Sequence, residues 1–214
     1  MLEGDGFAPA AQLLDELDSV RRTDEGSASG RLLEKRYTSA MPNINRRIAA
    51  SIDGDFVVFL IGARFNRWWK LPKYVWFFST MPKMLAELAA HPESGFLGWE
   101  RLGLTTNVQY WRSLEQLVAY SRNRDQAHYP YWVRFNKEIG SNGDIGIWHE
   151  TFLVRAGEYE CIYNNMPLRG LAKVARQIDA VDGATTAPGR LGRADGDDSP
   201  IGVDGTERRP AGVR

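Results

Sequence analysis

Residues 143–154 read GDIGIWHETFLV, a run with the apolar and β-branched content of a β-strand and two ionisable side chains at its centre. Because side chains alternate along a strand, His149 and Glu150 lie on opposite faces, and both faces are otherwise largely apolar. A strand that is apolar on both sides is usually covered on both, so we expect one or both of these groups to be held away from bulk water. They are then either hydrogen-bonded structural residues or residues that line a small-molecule pocket, and at most one of them faces a pocket between sheet and helices.

The bulk composition fits one globular core with tails. The 214 residues are 43% hydrophobic and 11% aromatic, and 27 basic residues balance 27 acidic ones, so no global charge favours binding to nucleic acid. The single cysteine, Cys161, excludes an internal disulfide and a multi-cysteine metal site, and we interpret it as a packing residue. No export signal or integral membrane segment is recognisable, so a cytoplasmic protein is expected.

The chain divides into three predicted parts. Residues 1–40 form an N-terminal extension with a short amphipathic helix at 7–22 and a linker-like stretch. Residues 41–182 form the folded domain, and residues 183–214 form a tail of mainly Gly, Pro, Arg and Asp that is expected to be disordered.

The folded part predicts alternating strands and helices. The expected strands are residues 56–64, a hairpin of 96–102 and 105–111, the run 144–154 and a shorter run at 158–163. The expected helices are residues 73–91, a helix capped by Ser113, an aromatic-rich segment between Pro130 and Gly140, and a last helix at 168–181. This order matches the split β-α-β ferredoxin-like unit, an α+β fold whose four-stranded antiparallel sheet has helices on one face. Its other face would be open and apolar, which predicts a homodimer.

Several motifs resemble a known family. They are the strand-into-helix junction YWRSLEQLVAY at 110–120 followed by His128 and Trp132, the stretch 136–142, the run GIWHET at 146–151 and YNNMP at 163–167. The junction with His128 and Trp132 is similar to the dimeric α/β-barrel superfamily of the antibiotic-biosynthesis monooxygenases. The other three runs resemble, more narrowly, the fumagillin-pathway monooxygenase-like family, long a domain of unknown function. The resemblance covers residues 41–172 and implies a ferredoxin-like dimer with an oxygenase-type activity. Relatives on this fold include cofactor-free oxygenases, haem-degrading enzymes, haem-dependent aldoxime dehydratases and non-catalytic proteins.

The candidate catalytic residues are His149, Glu150 and His128, whereas His91 before a proline is interpreted as a surface residue at a helix end. In a haem enzyme, His149 or His128 would be the axial ligand, His149 being the first choice, and Arg134 or Arg64 would meet a propionate. In a cofactor-free enzyme, His149 or Glu150 would be the base that deprotonates the substrate.

A non-haem iron site is not favoured, and no dinucleotide or phosphate-binding glycine loop is present. The aromatic cluster between Phe65 and Phe78 is interpreted as core and dimer packing, with a substrate-facing lid over an apolar pocket or a membrane-surface patch as the alternatives. The sequence thus predicts a monooxygenase-like enzyme for an apolar small molecule, with haem as the leading cofactor candidate and no cofactor as the alternative. A non-catalytic small-molecule binding or sensing module on the same dimer is the second hypothesis.

Overall fold

The structure is a computed structural model that describes residues 42–193. The predicted helix at 7–22 and the tail beyond residue 193 lie outside the described residues. Within residues 42–193 the strands are β1 Ile44–Ser51, β2 Phe56–Phe65, β3 Phe96–Arg101, β4 Thr106–Trp111, β5 Ile145–Val154, β6 Tyr163–Met166 and β7 Arg176–Asp179. The α-helices of the same part are α1 Val75–Ala90, α2 Leu114–Arg122, α3 His128–Glu138 and α4 Ala187–Arg190. Short 3-10 helices precede α1 at Trp68–Tyr74 and β7 at Gly170–Lys173.

Local sequence explains where the helices begin. The Ser113 hydroxyl accepts a hydrogen bond from the backbone N–H of Gln116 at 3.2 Å, so it caps α2 as predicted. Helix α1 continues through Pro82, whose side chain is exposed. The prediction of a helix at 73–91 is therefore confirmed to within two residues at its start.

Two antiparallel sheets form the described fold. The larger sheet has the strand order β3-β4-β2-β5, and the smaller sheet has the order β6-β1-β7. The predicted hairpin is confirmed as β3 and β4, and strands β2 and β5 pair along ten consecutive residues, from Phe56 opposite Val154 to Phe65 opposite Ile145. Strand β5 therefore lies at one edge of the larger sheet, with one side of its backbone unpaired there.

The two faces of the larger sheet are covered by different parts of the chain. Helices α1, α2 and α3 cover one face, where Val57 and Trp111 pack with Leu88 and Tyr120. The other face was expected to be open for a second subunit, and this expectation is wrong over much of its area. Residues from outside the sheet, such as Ala50 and Leu171, join Phe56, Val108 and Tyr110 in one buried cluster there.

The strand predicted at 158–163 is wrong, although the alternation behind it is real. Of this segment, only the part from Tyr163 onward, which is β6, pairs with β1. Upstream of it, side chains take the hydrogen bonds that a strand would make: the backbone N–H of Ile52 donates to Tyr159 Oη at 2.6 Å, and that of Ala50 donates to Cys161 Sγ at 3.3 Å. Tyr159 and Cys161 thus point toward the core at strand spacing without forming a strand.

The helix predicted at 168–181 is also wrong. The chain forms a short 3-10 turn and then β7, which pairs with β1 through Ala49 opposite Ile178. Gly170 has a φ of +51°, which does not continue an α-helix, and its N–H donates to the buried carboxylate of Glu100. Disorder beyond Gly183 is wrong for residues 184–193, where Arg190 anchors α4 by donating to Glu160 Oε2 at 2.7 and 2.8 Å.

Candidate functional site

A cavity lies between the larger sheet and helices α1, α2 and α3. Its volume is about 780 Å³. Strands β2 to β5 form the floor, and the three helices form the roof. Most of the lining is apolar or aromatic, as is usual for small-molecule sites, and the polar groups are few.

The strand register arranges the floor in two rows. The first row contains Arg101, Asn107, Ile61 and His149, each opposite its neighbour on the adjacent strand. The second row contains Trp99, Gln109, Phe59 and Thr151 in the same strand order. Residues directly opposite one another share a face, so both rows point toward the helices.

His149 belongs to this floor but is not buried. Its ring lies 5.5 Å from the ring of Phe59, and the side chain is exposed to solvent. The expectation that one or both of His149 and Glu150 are held away from bulk water is wrong for this chain by itself, because both side chains are exposed. The physical reason is that β5 is an edge strand, and its side chains from Ile147 to Leu153 are exposed.

Glu150 lies on the opposite face of the same strand, as strand alternation predicts. It stands opposite Leu60, between Trp148 and Phe152, and it does not line the cavity. The structure therefore separates the two ionisable residues of the central strand, and His149 is the one that can contact a molecule in the cavity.

His128 enters the cavity from the roof. It is the first residue of α3, and its Nδ1 lies 2.9 Å from the carbonyl oxygen of Ser121. Because a carbonyl only accepts, Nδ1 carries the hydrogen, and Nε2 of the neutral ring keeps its lone pair. Burial lowers the pKa of His128, so the ring is neutral at pH 7. The structure thus brings His128 and His149 to one cavity from opposite walls.

Sequence comparison identifies the family. A model of the monooxygenase af470-like family matches residues 56–171, more than half of the chain. The chain belongs to this family. The resemblance seen in the sequence motifs is thereby confirmed, while a search of curated proteins finds no match. Among solved structures, the crystal structure of an aldoxime dehydratase is similar with a TM-score of 0.47 and 16% sequence identity. The similar region covers 65% of this chain and 45% of the dehydratase chain, so the chain spans less than half of that protein.

In this member of the monooxygenase af470-like family, the predicted propionate-binding arginines lie outside the cavity lining. Arg134 donates to Glu138 at 2.8 Å and stacks over the ring of Trp76 at 4.1 Å. The arginine that does line the cavity is Arg101. Strand alternation could have indicated it, because Arg101 lies two residues beyond Trp99 and shares its face.

Glu87 fixes the position from which His128 enters. Its carboxylate accepts hydrogen bonds from the backbone N–H of Ala127 at 3.0 and 3.1 Å and from the hydroxyl of Tyr120 at 3.2 Å. Burial first, and the Glu87 charge second, raise the pKa of Tyr120, which stays protonated as a donor. The start of α3 is thus fastened to α1 and α2 at the residue before His128.

A buried carboxylate, that of Asp144, lies directly before β5 and connects this end of the larger sheet to the segment that precedes α1. Asp144 is 2% exposed and accepts from Arg67 at 2.8 Å, from Lys70 at 3.0 Å and from the hydroxyl of Tyr74 at 2.6 Å. These contacts, led by the Tyr74 hydrogen bond, lower the pKa of Asp144 to about 2. The cluster ties the first residues of β5 to the 3-10 helix Trp68–Tyr74.

The predicted aromatic cluster has an inner part that lines the cavity and an outer part that is exposed. Trp76, Phe77 and Phe78 line the cavity from α1, whereas Trp68 and Trp69 are exposed. Neither core packing nor a lid describes the whole cluster, since its inner residues form part of the cavity wall and its outer residues are exposed.

The last points concern His91, metal-binding groups and membrane-spanning helices. His91 is exposed and bonds Glu93 at 2.8 Å, as expected for a surface residue. In the described part of the chain, no group of three or more His, Cys, Asp or Glu side chains is arranged to hold a metal ion. None of the helices at 42–193 is long and apolar enough to cross a membrane.

Proposed function

We propose that the protein is a monooxygenase-like enzyme that acts on an apolar small molecule bound in the cavity between the larger sheet and helices α1 to α3. The observation that carries the proposal is a cavity of about 780 Å³ with apolar walls into which His128 and His149 project from opposite sides. This volume lies within the range of about 300–1,000 Å³ that is typical of small-molecule and cofactor sites. The family match supports an enzyme-like function of the monooxygenase type.

We further propose that the larger sheet with its helices is a ferredoxin-like unit and that two copies form a homodimer. The strand order β3-β4-β2-β5, with α1 between β2 and β3 and α2 and α3 between β4 and β5, supports the first part. The exposed edge strand β5 supports the second, because Trp148 is 42% and Phe152 48% exposed on the face that carries Glu150. Glu150 would then lie toward the partner, as predicted from the sequence.

Haem is the leading candidate cofactor, and the contacts favour His128 over His149 as its ligand. A metal-binding histidine usually donates its other ring N–H to a backbone carbonyl or a carboxylate, as His128 does to Ser121. Its lowered pKa favours the neutral ring that binds metal, whereas His149 has only a ring contact with Phe59. Bound haem would supply a redox-active iron for oxygen chemistry. Arg101 is the cavity arginine that could pair with a propionate.

In this arrangement His149 is the residue that contacts the substrate opposite His128 and exchanges a proton with it. The cofactor-free alternative uses the same geometry, with His149 as the base that removes a proton from the substrate. Glu150 does not fit the role of base in either version, because it lies on the other face of the sheet.

The visible spectrum of the protein with added haemin tests the haem proposal. We expect a Soret band that is lost or strongly shifted in His128→Ala and kept in His149→Ala, with His91→Ala as a matched control on the surface. A band lost only in His149→Ala would restore the assignment made from the sequence.

A protein that stays colourless would refute the haem version. Oxygen uptake with phenolic or terpenoid compounds would then test the cofactor-free version. Uptake that is unchanged in His149→Ala would contradict a catalytic role for this residue and favour a non-catalytic binding module.

A further inference from the structure

The floor of the cavity contains a buried chain of polar side chains on β4. Asn107, Gln109 and Trp111 share the helix-facing side of this strand, and Asn107 and Gln109 are each 5% exposed. Their neighbours on β2, Phe59 and Ile61, are apolar. Burying an amide without hydrogen bonds is unfavourable. The hydrogen bonds within the protein therefore show which polar atoms of the floor are still available to a bound molecule.

The direction of this chain is fixed by its buried end. The indole Nε1–H of Trp111 is only a donor, and it donates to Gln109 Oε1 at 3.1 Å. Gln109 must therefore turn its Nε2 the other way, where it donates to Asn107 Oδ1 at 3.1 Å. Asn107 is left with its Nδ2 amide group, a pair of N–H donors, on the side of the cavity that it lines.

A second donor lies beside Asn107. Arg101 stands directly opposite it on β3 and lines the same cavity. On the other side, Ile61 separates Asn107 from His149, so the backbones of Asn107 and His149 are two strand spacings, about 10 Å, apart. One end of the floor therefore offers hydrogen-bond donors, the middle is apolar, and the other end carries His149.

We propose that Asn107 forms a subsite for the carbonyl-type oxygen of an otherwise apolar substrate, with Arg101 at its edge. The oxygen accepts hydrogen bonds from Asn107 Nδ2, the apolar body covers Phe59 and Ile61, and the far end lies within reach of His149. This inference rests on the proposed function and narrows its substrate class to apolar ketones, acids and related carbonyl compounds. Asn107 is in this view a binding residue whose orientation is set by Gln109 and Trp111.

A pair of probes with the same shape tests the subsite. We would measure the Kd values of 2-acetylnaphthalene and 2-isopropenylnaphthalene for the full chain by calorimetry, because the second replaces the carbonyl oxygen by a CH₂ group. One net hydrogen bond predicts that the ketone binds about three- to tenfold more tightly than the hydrocarbon. In Asn107→Leu the ratio should fall to about one, whereas Thr151→Val, a polar change elsewhere on the floor, should leave it unchanged.

A second variant tests the orientation without removing Asn107. In Gln109→Glu, measured at about pH 9 so that the buried carboxyl is ionised, the carboxylate accepts from both Trp111 and Asn107; the Asn107 amide then turns its oxygen toward the cavity, and the preference for the ketone should be lost. Circular dichroism would confirm that each variant is folded. The result also separates two failures. Equal binding of both probes to the wild type, or a ratio that survives Asn107→Leu, would overturn the subsite alone, whereas no binding of either probe would overturn the proposed small-molecule cavity itself.

Discussion

Replacing Glu87 by alanine should loosen the start of α3 and with it the position of His128. Glu87 accepts from the backbone N–H of Ala127 and from the hydroxyl of Tyr120, which is buried. Hydrogen bonds to a charged acceptor contribute about 1.5–3 kcal/mol each, and Glu87 itself is only half-buried. We therefore expect a loss of about 3 kcal/mol in the free energy of unfolding, since both donors lose their partner.

The conservative variant Glu87→Gln should cost less. Its amide oxygen still accepts from Ala127, and its amide N–H can donate to the oxygen of Tyr120, so a loss of about 1 kcal/mol is expected from the missing charge. For a chain of this size, about 2–4 °C of melting temperature corresponds to each kcal/mol, which predicts a decrease of about 6–12 °C for Glu87→Ala.

Urea unfolding followed by tryptophan emission would measure both losses, with Lys83→Ala as a matched control at an exposed position of the same helix. Hydrogen exchange at the Ala127 amide provides a local readout and should be faster in Glu87→Ala only. If Glu87→Ala is no less stable than Lys83→Ala and the Ala127 amide exchanges at its original rate, then Glu87 does not fasten α3 and this reasoning is wrong.

Two further predictions concern the ends and the edge of the sheet. Asp144 has a pKa of about 2, below the ordinary 3.8, so its stabilisation is complete above about pH 4 and is lost as the pH falls through 2. Asp144→Asn should therefore be much less stable than the wild type at pH 7 and nearly equal to it near pH 2 in denaturant titrations, while the exposed Asp125→Asn should show no such convergence. Trp148→Glu should convert the proposed dimer to a monomer in sedimentation velocity, and Val181→Glu, at an exposed apolar residue on another surface, should not. A wild type that sediments as a monomer would contradict the dimer directly.

The sequence predicts those elements whose side chains repeat at a helical or strand period and whose ends carry local signals. Strand β2 and helix α2 are examples, since the first is a continuous apolar run and the second begins at the Ser113 cap. Strands β1 and β7 were missed because each is defined by pairing with a distant segment. The alternation at Tyr159 and Cys161 was misread because side chains, instead of backbone groups, bond to β1.

Burial was harder to predict than secondary structure. The apolar content of β5 on both faces predicted that the strand is covered, yet the strand lies at an edge and its side chains are exposed in the single chain. Hydrophobic alternation indicates which residues avoid water, and it does not indicate whether their cover belongs to the same chain. Trp148 and Phe152 are exposed in the single chain, and in the proposed dimer they would be covered by the second copy.

The site was only partly predictable for a related reason. His149 and His128 were recognised by residue type, and their side chains do reach one cavity. Asn107 and Gln109 alternate with Val108 and Tyr110, a pattern that in a sequence indicates a half-exposed strand with a polar face toward water. The polar face is buried instead, because Trp111 continues it and donates its indole N–H to Gln109.

The two walls of the cavity therefore present opposite hydrogen-bonding character, and both result from backbone or indole groups that cannot change roles. On the roof, the carbonyl of Ser121 requires Nδ1 of His128 to be the donor. Nε2 of the neutral ring therefore has a lone pair and can only accept. On the floor, the indole of Trp111 requires Gln109 to accept, which leaves Asn107 as a donor. In the proposed function, the electron-rich oxygen of a bound molecule would lie toward Asn107, and Nε2 of His128 would face an electron-poor group, the metal of a cofactor or a polarised hydrogen. If the proposed subsite is correct, exchanging donor and acceptor on either wall should change which ligands bind more than it changes the stability of the protein.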